Sequence, residues 1–244
     1  MVIIVPGIGK IVEGINSVNS AIDSYRAEKV VFLGSGKTTS TRLELLIQKA
    51  KNKGLIVEEI SKKENWIYSN RHSIVALCTP KKTYDEKSLD QLKLSNLVVL
   101  DHIQDTNNFG AITRSAAAFD FYILCLPKKR SVNITEKTFA ISSGGLENIN
   151  IVFYNSIFSL IKKLKFLDYW TVGMEMDANE DLANIDLNKQ KIALFIGSEE
   201  NGLSKEIQNK LDLIVKINMS NKVESLNASV AAAIAMNQFF KKNS

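Results

Sequence analysis

The stretch that decides the fold is "LFIGSEENGLS" (194–204), followed a few residues later by "INMSNKVESLNASVAAAIAM" (217–236). Each begins as a buried-type strand and runs into a turn rich in Gly, Ser and Asn. A third segment, "LDHIQDTNNFGAITRSAAAF" (100–119), has the same design. Three strand–loop–helix junctions with polar turns read as one composite site, because ligands of α/β sheets bind at the carboxyl ends of strands.

Working outward, helical spacing covers 110–119, 135–147, 156–167, 204–210 and 228–241. Strand signals cover 121–126, 150–154, 170–174, 192–197 and 213–217. The alternation predicts an α/β fold, a mostly parallel sheet covered by helices on both faces. Towards the N-terminus, 10–24 reads as a helix, 29–34 as a buried strand and 40–54 as a helix capped by Ser40 or Thr41 and ended by Gly54. "LIVEEI" and "SIVALCT" read as further strands. The chain therefore divides into a small α/β domain (1–79), a polar linker opening at Pro80 (80–93), and a larger α/β domain (94–244).

Composition excludes several classes. Among 244 residues, 45% are apolar and 23% charged, a globular balance, and no apolar run reaches a membrane span of about 20 residues. The N-terminus lacks a basic leader. Two cysteines, Cys78 and Cys125, and two histidines, His72 and His102, make no metal-binding pattern and fit a reducing cytoplasm. Residues 1–90 carry 14 Lys/Arg against 10 Asp/Glu, so most of the +5 charge sits there. This hints at a polyanionic partner, although a lysine-rich solvated surface explains the charge equally well. "VVFLGSGKTTS" (30–40) imitates a phosphate-binding loop, but that motif needs a glycine where Val31 stands.

The three junctions resemble the blocks of the SpoU-type (TrmH-like) RNA ribose 2′-O-methyltransferases of the SPOUT superfamily. Asp105, Thr106, Asn108, Gly110 and Arg114 match the family's Asp-Pro-x-Asn-x-Gly-x-x-x-Arg, with Thr106 in place of Pro. Gly197, Glu199, Gly202 and Leu203 match Gly-x-Glu-x-x-Gly-Leu. Ile217-Asn218-Met219 followed by Ser225-Leu226-Asn227 and Ser229 match the third block, with Asn218 in place of Pro and Asn221 where Gly is usual. "SSGGLENI" (142–149) is similar to a further family segment. Gly9 and His72-Ser73-Ile74 loosely match a ribosomal-protein-like substrate-binding domain.

The resemblance implies a C-terminal domain closed by a deep trefoil knot, a homodimer formed through that domain, and RNA as substrate. It implies S-adenosylmethionine as methyl donor and no metal. A guanosine of rRNA is favoured over tRNA; a non-catalytic RNA-binding or assembly factor with the same fold is the alternative class. Gly197, Gly202, Ile217, Met219 and Leu226 are then the cofactor-binding candidates, and Arg114, Asn108, Glu199, Ser225 and Asn227 the catalytic ones. Arg114 suits a phosphate clamp better than a base, because a guanidinium does not give up its proton. Ser225 and Asn227 stand at a helix start, where capping is the competing explanation.

Overall fold

The structure is a computed structural model, described here for residues 8–34, 40–68, 70–93, 95–186, 190–220 and 222–243. It divides into two compact units. One comprises Val5–Lys82 with Ile134–Asn148; the other comprises Thr83–Asn133 with Ile149–Ser244.

The smaller unit is a four-stranded sheet with two main helices. In chain order these are β1 (Ile11–Glu13), α1 (Ile15–Asp23), β2 (Ala27–Leu33), α2 (Thr41–Asn52), β3 (Ile56–Ile60) and β4 (Ile74–Cys78). The sheet order is β1-β4-β2-β3; β4 is antiparallel to both neighbours, while β2 and β3 are parallel. The expected helix over 10–24 starts later. Ile11, which fits helical spacing, pairs with Leu77 in β1, and Gly14, at φ 87°, turns the chain into α1. Ser40 caps α2 by accepting from the Leu43 N–H, as expected. Val31 is 2% exposed inside β2, so the strand occupies the place where a phosphate-binding loop would begin; residues 35–39 of that motif lie outside the described residues.

The larger unit is built on β5 (Thr83–Asp85), β6 (Leu97–Leu100), α3 (Thr106–Ala118), β7 (Ile123–Pro127), and, after α4 (Glu136–Ile141), β8 (Asn150–Tyr154), α5 (Ile157–Phe166), β9 (Tyr169–Met174), β10 (Glu180–Asp181), β11 (Lys191–Ile196), α6 (Lys205–Gln208), β12 (Leu213–Lys216) and α7 (Ala228–Asn243). Its eight strands run in the order β10-β12-β9-β11-β6-β7-β8-β5, every pair parallel. Leu97, Val99, Ile123 and Cys125 on one face pack with Leu160, Leu164 and Ile207 of α5 and α6. Val98, Leu100, Leu124 and Leu126 on the other face are equally inaccessible, and α7 packs against β11 and α3. Burial on both faces explains why these strands read as unbroken apolar runs.

Two expectations are corrected. The stretch 80–93 is not a linker. Thr83–Asp85 pairs with β8 at the edge of the large sheet, and Leu89 is wholly buried in its core. Its polar composition hid this because Asp85 is paired with Lys128 at 2.8 Å rather than solvated. The single helix expected over 135–147 is α4 followed by a 3-10 turn over Gly145–Asn148, broken where Ser143 (φ 49°) and Gly144 (φ 90°) turn left-handed.

That segment belongs to the smaller unit, and charge is what fastens it. Glu147, with no side-chain exposure, accepts from Arg26 through Nε (2.7 Å) and Nη2 (2.8 Å), a two-pronged pairing. Ser17 donates to the Phe139 carbonyl at 2.9 Å, and Lys81 to the Glu147 carbonyl at 3.2 Å. Burial brings the Lys81 ammonium down to about 8 from 10.5, aided by Arg26 and opposed by Glu147. Between those values the unfolded chain binds more protons than the native one, so native stability rises with pH there. Lys81→Met removes this contribution. Urea unfolding from about pH 8 to pH 10 is expected to show the wild type gaining stability relative to the variant.

Candidate active site

In the large sheet, β6, β7 and β8 follow one another in one direction, whereas β11 and β9 lie on the other side of β6. The chain thus changes direction between β6 and β11, and loops leaving neighbouring strands there diverge to leave a crevice. Asp101 N–H donates to the Ile196 carbonyl at 2.9 Å, joining the two strand ends at that point.

The loop after β6 leads into α3. Asp105 caps the helix, its carboxylate accepting from the Asn108 N–H at 2.8 Å. This fixes Asn108 in the first turn, where its side chain is 8% exposed. The Asn108 amide nitrogen donates to the Glu199 carboxylate at 2.9 Å. The Asn108 amide oxygen accepts from the Asn227 amide nitrogen at 2.9 Å. Asn227 Oδ1 in turn accepts from the Ser229 N–H (2.8 Å) and hydroxyl (2.6 Å) at the start of α7. One hydrogen-bonded line, Glu199–Asn108–Asn227–Ser229, therefore crosses all three sequence blocks. Asn227 caps the helix with its oxygen, as the competing explanation had it, and its nitrogen also reaches Asn108.

The glycine turn after β11 is tightly closed. Gly202 N–H donates to the Ser198 carbonyl at 3.0 Å, and Gly202 adopts φ 60°. A Cβ on Gly197 would lie 2.1–2.4 Å from backbone atoms of Gly202 and Leu203, so only glycine allows the two limbs this close. After β12, Ile217, Met219 and Leu226 are half-buried, leaving part of their apolar surface open.

The model of the SpoU rRNA Methylase family matches residues 95–237. The chain belongs to that family. It is 30% identical over 239 residues to a TrmH-family tRNA/rRNA methyltransferase of Staphylococcus haemolyticus, covering 95% of both chains. It is 28% identical over 236 residues to the TrmH-family protein YacO of Bacillus subtilis, covering 92% of this chain and 93% of that one. Among solved structures, an AdoMet-bound rRNA methyltransferase from Sinorhizobium meliloti shares its fold with a TM-score of 0.75 at 20% identity, over 95% of this chain and 86% of that one. The SpoU methyltransferase AviRb from Streptomyces viridochromogenes, in complex with AdoMet, gives 0.76 at 20% identity, over 95% and 89%.

Against the SpoU pattern, two departures have physical compensations. Thr106 is the first residue of α3, where the N–H is unused, so replacing Pro gives up a preset φ but no helix hydrogen bond. Asn218 binds the Asp181 carboxylate through its side-chain amide, tying the loop after β12 to β10 in place of a rigid Pro. Asn221 lies outside the described residues.

Not every candidate joins the line. Arg114 is on the exposed side of α3, and among the described residues its guanidinium has no hydrogen-bond or ion-pair partner. Ser225 is likewise exposed and makes no hydrogen bond to Asn108 or Glu199.

Sequence reasoning also missed residues. Glu175, just past β9, accepts from the Leu203 N–H, while its own N–H donates to the Val215 carbonyl at 3.0 Å. It thereby ties the end of β9 to β12 and to the far side of the glycine turn after β11. Burial raises its carboxyl; the Leu203 N–H and Lys205 oppose this, and Asp177 adds to it. A cleft of about 400 Å³ beside Glu199 is lined by His102, Gln104, Arg130 and residues 198–201. Asp101 sits 3.6 Å from the His102 ring; burial raises its carboxyl, with His102 and the Tyr154 hydroxyl opposing. Only positive φ at His102 (60°) and Arg130 (55°) marks this region, and sequence does not display it. Because backbone has to move for Gly197→Ala, that change is expected to lower the free energy of unfolding by about 1–3 kcal/mol in urea titrations.

Proposed function

We propose that this chain transfers a methyl group from S-adenosylmethionine to a ribose 2′-hydroxyl of RNA, with a guanosine of ribosomal RNA as target. The observation that carries the reading is the line Glu199–Asn108–Asn227, which makes one site of three loops at the sheet's switch point.

S-adenosylmethionine fits the chemistry of these loops. Half-buried Ile217, Met219 and Leu226 offer apolar surface to an adenine and a thioether chain, and the turn between Gly197 and Gly202 offers backbone groups at close range. When bound, the cofactor supplies an electrophilic methyl carbon on a sulfonium. The protein's own part is alignment and charge. Asn108, held from both sides, keeps Glu199 and Asn227 at fixed spacing around the acceptor ribose. Ser225, exposed beside Leu226, faces solvent and is free to meet the target nucleotide. Arg114 clamps an RNA phosphate and stabilises charge developing on the 2′-oxygen; water or the phosphate takes the proton, since the guanidinium retains its own.

The enzyme works as a homodimer through the larger unit, a reading supported by Val230 and Ile234, 46% and 40% exposed one turn apart on α7. The trefoil knot is supported by β11 lying between β6 and β9, both of which precede it in the chain. The smaller unit positions RNA, supported by the charge excess of residues 1–90. Two free buried cysteines support a cytoplasmic setting, and among the described residues no helix is long and apolar enough to cross a membrane.

The test is incubation with methyl-labelled S-adenosylmethionine and separate pools of unmodified rRNA and tRNA, followed by alkaline digestion. Label is expected in an alkali-resistant dinucleotide from rRNA. Label from tRNA alone would move the substrate to that class; cofactor binding without label in either pool would point to a missing ribosomal context or partner, and neither label nor cofactor binding would favour the non-catalytic reading. Arg114→Lys keeps charge but loses the two-pronged fork, and is expected to cut turnover at least tenfold or so.

A further inference from the structure

Within one chain, the cation that faces the cleft beside Glu199 is not Arg114 but Arg130. Three observations set Arg130 apart. The first is availability. Of the run Lys128-Lys129-Arg130 that follows β7, Lys128 is taken by Asp85, whereas the Arg130 guanidinium has no ionic or hydrogen-bond partner among the described residues.

The second is restraint. The Arg130 carbonyl is held 3.3 Å from the His102 Nδ1, so the loops after β6 and β7 are latched to one another. Both residues take left-handed backbone conformations, at φ 60° and 55°. Non-glycine residues adopt these at a cost and keep them where the surroundings enforce them. A cation on such a loop loses less freedom on binding than one on a free loop.

The third is the chemistry of the lining. The lining brings Arg130, Gln104 and His102, from the loops after β7 and β6, together with Glu199 and Glu200, from the turn after β11, and the Glu199 carboxylate is engaged by Asn108. A bare phosphate would meet the acids as well as the arginine. A nucleotide answers both, with phosphate oxygens towards the guanidinium and hydroxyl or amino donors towards Glu200.

We propose that Arg130, latched by His102, grips a backbone phosphate of the RNA strand that lies in this cleft next to the reacting ribose. The inference rests on the reading of RNA as substrate, and the experiment separates the two. Affinity of the full chain for a mixed-sequence single-stranded oligoribonucleotide is measured against salt concentration, with S-adenosylmethionine affinity measured in the same preparations. Arg130→Ala is expected to weaken oligonucleotide binding about tenfold at low salt and to reduce the slope of log affinity against log salt by about 0.7, the value for one lost single-strand phosphate contact. Arg130→Lys is expected to keep the slope and recover part of the affinity. Lys162→Ala, on the exposed side of α5, is expected to match the wild type, and cofactor affinity to be unchanged throughout.

Wild-type affinity and slope in Arg130→Ala would overturn the assignment while leaving RNA as substrate. Weaker binding with an unchanged slope would mean a disturbed loop rather than a lost phosphate, and would also overturn it. Cofactor binding with no oligonucleotide binding in the wild type would sink the RNA reading and this inference together.

Discussion

The structure of the site depends on one buried side chain, the carboxamide of Asn108. An amide offers donors on nitrogen and acceptor sites on oxygen. Here the nitrogen is committed to Glu199 and the oxygen to Asn227. A buried polar group that lost either partner would carry a desolvation cost of about 1–3 kcal/mol, so each contact enforces the other. It joins its own loop to two others, whose partner residues lie 91 and 119 positions away in sequence.

The rest of the larger unit serves that constraint. The all-parallel sheet brings the carboxyl ends of β6 and β11 side by side, Asp105 anchors Asn108 by its backbone, and Gly197 lets the turn carrying Glu199 fold tightly on itself. Glu175 secures the outer side of that turn from β9. These supports come from separate strands and act through backbone groups, which suits a site whose task is to hold two reactants in register. They also leave Arg114 outside the line, on an exposed helix face, and a second cation, Arg130, at the cleft.

Much of this was legible in the sequence, for identifiable reasons. Strands buried on both faces, such as Leu97–Leu100 and Lys191–Ile196, announce themselves as apolar runs. Asn108, Glu199 and Asn227 stand in recognisable blocks, and the structure unites all three. What was not legible depends on contacts distant in sequence. Ile11 fits a helix by spacing and is a strand by pairing with Leu77. Thr83–Asp85 looked solvated because the pairing of Asp85 with Lys128 is invisible locally. Nothing in 134–148 reveals that Glu147 finds Arg26 across 121 residues and assigns the segment to the smaller unit. The contact between His102 and Arg130 went unnoticed because backbone strain leaves no mark on residue type.

The central claim is that Asn108 makes the three loops one energetic unit. A double-mutant cycle on Asn108→Ala and Asn227→Ala, read as affinity for S-adenosylmethionine by calorimetry, tests it most directly. A coupling of roughly 1 kcal/mol or more is expected between the two sites, because either substitution alone already breaks the line. Additive losses within about 0.3 kcal/mol would mean that the loops hold their places independently, and would contradict the claim.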